Sequence, residues 1–205
     1  MMKIIITGAV FVCAVFTGFG QNKISAMDQS PMDMCYYPAN FPILKIQDKI
    51  TEPLVARVIY SRPQISNRTI FGELVEYDKV WRLGANEATE IEFFFDVTVG
   101  NKTVPRGRYT LYAIPSTEKW MIIINTETNT WGSFKYHSKK DVVRVEAPVQ
   151  KLNDQLEPFT MYFEKSSTGF TLSAAWEKFM VTIPMKISAK TSAKKPVKTT
   201  KKILP

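Results

Sequence analysis

Between Tyr60 and Thr89 the chain gathers the side chains best suited to recognition chemistry. Tyr60-Ser61-Arg62-Pro63 stands at one end and Val80-Trp81-Arg82-Leu83-Gly84-Ala85-Asn86-Glu87-Ala88-Thr89 at the other. Guanidinium forks, an amide, a carboxylate and an indole are the groups that grip a sugar or a carboxylate. The Gly and Pro among them fix tight backbone geometry and turn polar groups outward, so a shaped loop is expected. Tyr60, Arg62, Trp81, Arg82, Asn86 and Glu87 are therefore the candidate ligand-binding residues. Trp131, which ends the polar run from Asn125 to Thr130, is an optional aromatic platform for a sugar ring. A plainer reading competes. Arg62 or Arg82 would form a bidentate pair with Glu87 that pins two loops to the scaffold, and Trp131 would pack over the end of the fold. Glu87, with Glu90 and Glu92 close behind, also keeps open a glycoside-type hydrolase, which requires two carboxylates facing one cleft.

Other chemistries lack their residues. The chain has one histidine, His137, set in the polar run Lys135-Tyr136-His137-Ser138-Lys139 and expected as a loop residue. Of its two cysteines, Cys13 lies in the N-terminal apolar segment, which leaves Cys35 alone in the body, so no intramolecular disulfide is expected there. A zinc site of His and Cys ligands and a triad with a choice of imidazoles are thereby unsupported. Phosphate-binding, dinucleotide, nucleophile-elbow and calcium-loop patterns are missing from the string, so no cofactor and no metal is implied.

The ends of the chain speak to location. Met1-Met2-Lys3 gives a positive start, residues 4–16 are apolar, and Gly18-Phe19-Gly20 supplies small residues for cleavage after Gly20. That run is shorter than the roughly 20 residues of a spanning helix, so a removed export signal is expected, with no transmembrane segment in the mature chain and a periplasmic or secreted destination. Val12 before Cys13 argues against a lipid anchor. The net charge of +8 belongs mainly to the other end. Setting aside Lys3 and the seven lysines from Lys186 onward leaves 19 basic residues against 19 acidic ones, so the body presents no footprint for nucleic acid. Residues 188–205 are Lys, Ser, Thr, Ala and Pro with few large apolar side chains, the composition of a disordered tail. Its lysines would suit an anionic envelope surface.

Residues 30–187 carry the pattern of a scaffold that could hold the site, after a polar linker at 21–29. The Pro-punctuated segment from Ser30 to Pro42 is expected to lie extended, with Tyr36, Tyr37 and Phe41 as anchors. Leu54 to Ser61 reads as a strand ending at Pro63. Ile70, Phe71, Leu74, Val75 and Trp81 suggest one short helical turn. Ile91, Phe93, Phe95, Val97 and Val99 alternate with other residues as one strand, followed by a Gly100-Asn101 hairpin turn. Strands are expected at Arg108 to Ile114, at Trp120 to Ile124 with both faces buried, at Asp141 to Ala147 and around Phe159, Met161 and Phe163. Two more are expected, at Phe170 to Trp176 and Phe179 to Ile187. Short strands with frequent turns predict an all-β fold, a single antiparallel β-sandwich of jelly-roll-like character.

Tyr60-Ser61-Arg62-Pro63, the Trp-Arg-x-Gly-Ala-Asn-Glu-Ala-Thr core of the run from Val80 to Thr89, Pro105-x-Gly107-x-Tyr109 and Trp131-Gly132 together resemble the bacterial secreted family catalogued as domain of unknown function 2911. The resemblance spans roughly Ser30 to Ile187 and implies an exported envelope protein with one β-rich domain. It implies no activity. One position departs from the family pattern: Asp78 stands where a glycine precedes the lysine before Val80-Trp81, which would alter a turn. The expectation is a non-catalytic binding or envelope-interaction domain for a small polar ligand or glycan. A hydrolase acting through Glu87 and a purely structural or adaptor protein are the alternatives.

Overall fold

The structure is a computed structural model that describes residues 26–188. The expected signal and the tail beyond Ser188 lie outside the described residues. Ser188 itself, the first residue assigned to the tail, is buried, and its amide donates to the Asp96 carbonyl at 2.8 Å.

Two antiparallel sheets share one core. Strands β1 (Met32–Tyr37), β2 (Ala56–Ser61), β3 (Glu90–Phe93), β6 (Gly107–Pro115), β7 (Lys119–Asn125) and β8 (Asp141–Pro148) form the larger, in the order β1-β2-β3-β6-β7-β8. Strands β4 (Val97–Val99), β5 (Lys102–Val104), β9 (Gln150–Ser166) and β10 (Gly169–Ile187) form the smaller, in the order β5-β4-β10-β9. Val58, Ile91, Leu111, Trp120 and Ile122 from one sheet meet Phe159, Met161, Leu172, Trp176 and Ile183 from the other in a single buried cluster. The expected β-sandwich is thus the observed architecture. Burial of both inner faces is what drives two half-apolar sheets together.

The segment from Ser30 to Pro42 does lie extended in its first part, as edge strand β1 paired with β2, and Tyr37 stacks on Phe170 at 4.4 Å. Its end differs from expectation, because a short helix, α1 (Phe41–Ile46), begins there. Pro42 falls in its first turn, where the missing amide would have no partner in any case. The helical turn expected around Ile70 to Trp81 is absent. The chain there forms tight turns closed by the Val75 amide to Ile70 O at 2.8 Å and the Gly72 amide to Val75 O at 2.9 Å, and Phe71 and Val75 form an isolated bridge.

The alternation from Ile91 to Val99 also proves to be two strands. A break at residues 94–96 carries the chain from the larger sheet to the smaller, with Phe93 and Val97 both facing the shared core. Strand β10, by contrast, is continuous in backbone type but doubles back. Ser173 Oγ and Thr182 Oγ1 lie 3.1 Å apart, whereas nine residues of straight strand would separate them by roughly 30 Å. A Cβ built on Gly169 would fall 2.3 Å from Met185 O. The fold-back centres on Glu177, whose φ is 57°, so the two halves match the two strands expected from the sequence.

The outer face of the larger sheet is covered too. Tyr112 and Ile123 are buried with Ala88, and Val80 and Tyr136 pack against them. That second, thinner core explains why Ile122, Ile123 and Ile124 in β7 are all buried, as the continuous apolar run predicts.

Candidate functional site

The loop from Asp78 to Thr89 is built on the outer core and tied to β6. Trp81 and Ala113 exchange two backbone hydrogen bonds, 2.7 and 2.9 Å. Asp78 holds the turn at a φ of 58°, with its amide on Pro115 O at 2.9 Å. The backbone geometry a glycine would supply is therefore kept with an aspartate in its place. Aspartate is among the few side chains that visit this region readily.

Beyond Trp81 the chain turns sharply. Leu83 and Asn86 have φ of 54° and 56°, and for a bulky side chain such as Leu83 this conformation is costly. Surrounding contacts hold it. The Thr89 amide donates to Arg82 O at 3.1 Å and the Thr89 hydroxyl to Leu83 O, while Trp81 Nε1 donates to Gly84 O at 3.1 Å. Gly84 lies so close to the larger sheet that a Cβ there would meet Ser61 O at 3.1 Å. Strained backbone held this firmly is a feature of functional loops.

This loop walls a cleft of about 240 Å³. Its floor is the paired indoles of Trp81 and Trp176, stacked at 6.0 Å with their planes 16° apart, and Leu74 and Val75 stand at one side. Arg82, Asn86 and Arg68 bring polar groups to it, and Pro63 and Ser30 complete the rim. No carboxylate lines it. Arg82 has neither an ion pair nor a side-chain hydrogen bond among the described residues, and its Nε is buried without a partner. Burial pushes the guanidinium below its ordinary pKa, because desolvation penalises the charged form. Arg68 is oriented by its own loop, with Nε donating to Ile65 O at 3.0 Å and Nη2 to Gln64 O, and it too lacks an ion pair among the described residues. Three larger hollows, of about 390, 410 and 460 Å³, lie elsewhere, but none places two cations together and two of them include a carboxylate in their lining. Chemistry therefore favours the smaller cleft.

The structure divides the seven residues expected from the sequence. Trp81, Arg82 and Asn86 come together at the cleft. Tyr60 and Arg62 do not join them, and serve instead to join the two sheets. Tyr60 is 2% exposed with its hydroxyl donating to Met161 O at 3.2 Å, and burial pushes its pKa up to about 12. Arg62 donates to Asp33 at 3.0 Å, Thr160 Oγ1 at 2.9 Å and Phe159 O at 3.2 Å. Glu87 and Trp131 stand outside the cleft, facing solvent. The expected pairing of Glu87 with Arg62 or Arg82 is absent: Arg62 pairs with Asp33, and Arg82 has no carboxylate partner among the described residues. Trp131 does not pack over the fold either, since 61% of it is exposed.

Arg68, Leu74 and Trp176 were not expected at the site. Trp176 carries the alternation of a core strand, and its ring serves both core and cleft floor. Arg68 sits among the turn residues Ser66, Asn67 and Thr69; the signal that marks it is a second arginine in a loop with no acidic neighbour from Pro63 to Gly72. Among the described residues no three His, Cys, Asp or Glu side chains group as a metal site, and no helix is long and apolar enough to cross a membrane.

A search of curated proteins and of solved structures finds no match to the chain. A family model described as "Protein of unknown function (DUF2911)" matches residues 42–185, a span that opens at the start of α1 rather than at Ser30 and includes the whole cleft loop. The chain belongs to this family of unknown function.

Proposed function

We propose that the protein is a non-catalytic binding domain whose ligand presents an anionic group, a carboxylate, phosphate or sulfate, to Arg82. The observation that carries this reading is the buried, unpartnered Nε of Arg82 in a cleft without acidic lining. An orphaned buried donor is destabilising unless something outside the chain satisfies it. Arg68 adds a second guanidinium and Asn86 an amide, and the indole floor suits an apolar portion of the same ligand. At about 240 Å³ the cleft falls below the ~300–1,000 Å³ of sites for drug-sized molecules, so the occupant is a small anion or the acidic end of a larger one. The lining offers no carboxylate, imidazole or thiol for acid–base or nucleophilic work, which is why binding is preferred to hydrolysis through Glu87.

The place of action proposed is the envelope or the exterior, supported by the apolar N-terminal run that ends in Gly18-Phe19-Gly20. N-terminal sequencing of the protein from cell envelopes should begin at Gln21. A mature form that retains Met1 would remove this part of the reading.

Calorimetric titration with phosphate, sulfate, citrate and glucuronate at constant ionic strength tests the ligand class. At least one should bind saturably, and Arg82→Gln should weaken it about tenfold or more, the usual loss when a charge-assisted bond goes. Failure of all four, or affinities that Arg82→Gln and Arg68→Gln leave untouched, would overturn the proposal.

A further inference from the structure

Residues 86–88 and 130–132 run antiparallel, joined by the Ala88 amide to Thr130 O at 3.0 Å and the Gly132 amide to Asn86 O at 2.9 Å. Those two bonds flank Glu87 and Trp131, which are bridge partners, so the two form a non-hydrogen-bonded pair. In such pairs the Cα atoms lie only about 4.5 Å apart and the side chains share one face. Both side chains are exposed, and neither has a side-chain partner among the described residues. Indole and carboxylate are thus held side by side, open to solvent.

The platform is rigidly mounted. Ser133 Oγ donates to Val80 O at 2.9 Å, and Tyr136 at the base of the loop donates to Asp141 at 2.6 Å. Gly132 takes a φ of 65°, and a Cβ there would fall 2.7 Å from the ring of Phe134. That ring, 84% exposed, is therefore seated on the bare backbone of Gly132.

We infer that Glu87 and Trp131 form a carbohydrate subsite for β-linked pyranosides of the gluco configuration. Such a ring turns its axial C–H groups into a flat apolar face, which lies on the indole. Its equatorial hydroxyls point outward from the rim, where a carboxylate, an acceptor with two oxygens, takes neighbouring hydroxyls together. Tryptophan supplies this area at little entropic cost because only two torsions are fixed. The subsite is separate from the Arg82 cleft, which neither residue lines, and it does not depend on the anion reading.

Trp81, Trp120 and Trp176 are buried, so among the four tryptophans Trp131 is the exposed reporter. Cellohexaose and chitohexaose titrated into the full chain should give, for at least one of them, a saturable change in tryptophan emission. Calorimetry on Trp131→Ala and on Glu87→Ala should then show that sugar binding about tenfold or more weaker, as for loss of a central contact. Trp131→Phe should recover part of the loss, and Arg82→Gln, which weakens anion binding, should leave the sugar affinity as in the parent. Circular dichroism of each variant should match the parent, because both side chains project from the surface. The inference is overturned if neither sugar binds below about 10 mM, if Trp131→Ala binds as the parent does, or if Arg82→Gln removes the signal.

Discussion

Arg82→Met should make the protein more stable and at the same time unable to respond to anions. The methionine keeps an unbranched apolar stem of similar length and removes the guanidinium. In the parent, the buried Nε of Arg82 has no partner, and leaving such a donor unsatisfied costs about 1–3 kcal/mol. Part of that cost persists wherever the outer nitrogens still reach the open cleft, so a gain of about 1–2 kcal/mol is expected. For a domain of this size each kcal/mol moves Tm by about 2–4 °C, giving a rise of roughly 2–8 °C. Burial lowers the pKa of Arg82, yet arginine stays protonated in both states at ordinary pH. The penalty is therefore present throughout the range below its folded pKa, and the gain should not vary from pH 6 to 9. The assay is urea unfolding with chloride as the sole anion, repeated with a saturating anion from the calorimetric screen. An anion at about 100 times its Kd should raise the parent by about 2.7 kcal/mol and leave the variant unmoved, which reverses their order. A variant less stable than the parent by more than about 1 kcal/mol in chloride, or one that gains as much from the anion, would refute the reasoning.

Three other outcomes are expected. Arg62→Ala removes two hydrogen bonds that join the sheets, to Phe159 O and Thr160 Oγ1, and takes from Asp33 its ion pair within the larger sheet, so urea unfolding should show a loss of about 1–3 kcal/mol, with anion affinity of the folded protein unchanged. Tyr60, held up to about 12 by burial, ionises in the unfolded chain near 10. The folded state keeps the proton that the unfolded state gives up, so stability is full below pH 10 and falls as pH rises from about 10 toward 12. Cys35, pushed up to about 12 chiefly by burial, adds a fall that begins near 9; urea midpoints from pH 8 to 11 should show both, with Tyr60→Phe giving the shallower decline. Asp78→Gly should be neutral or up to about 1 kcal/mol more stable, since its φ of 58° suits glycine, whereas Asp78→Val should lose about 1–2 kcal/mol by thermal unfolding.

Much of the scaffold was legible because strands advertise themselves in pairs of faces. The run Trp120 to Ile124 announced burial on both sides, and the structure supplies the second cover through Ala88, Val80 and Tyr136. Alternation from Ile91 to Val99 misled only about connectivity: side chains keep pointing inward as the chain passes from one sheet to the other, so the period of two runs through the break at 94–96 undisturbed. The helix at Phe41 was hidden by Pro42, whose usual effect in a helix interior does not apply in the first turn. Ile70, Phe71, Leu74 and Val75 have helical spacing, but Gly72 at a φ of 94° bends the chain into turns instead. At the site, residue type identified Trp81, Arg82 and Asn86. It could not separate them from Tyr60 and Arg62, whose partners Met161, Asp33 and Thr160 come from remote parts of the chain. Arg68 reaches the cleft through tertiary folding; the string marks it only as an arginine with no acidic neighbour from Pro63 to Gly72, without saying where it points.

The crossings between layers have a consequence for how the molecule comes apart. After β2 the chain leaves the larger sheet, and Gln64 bridges Pro158 while the Ile65 amide bonds Glu157 O; after β3 it crosses again to become β4. Neither layer can peel away without dragging backbone out of the other, so amide exchange in both should report one shared opening event rather than two. Cutting the chain at either crossing should yield fragments that recover structure only when mixed, each lacking the part of the interior that the other supplies.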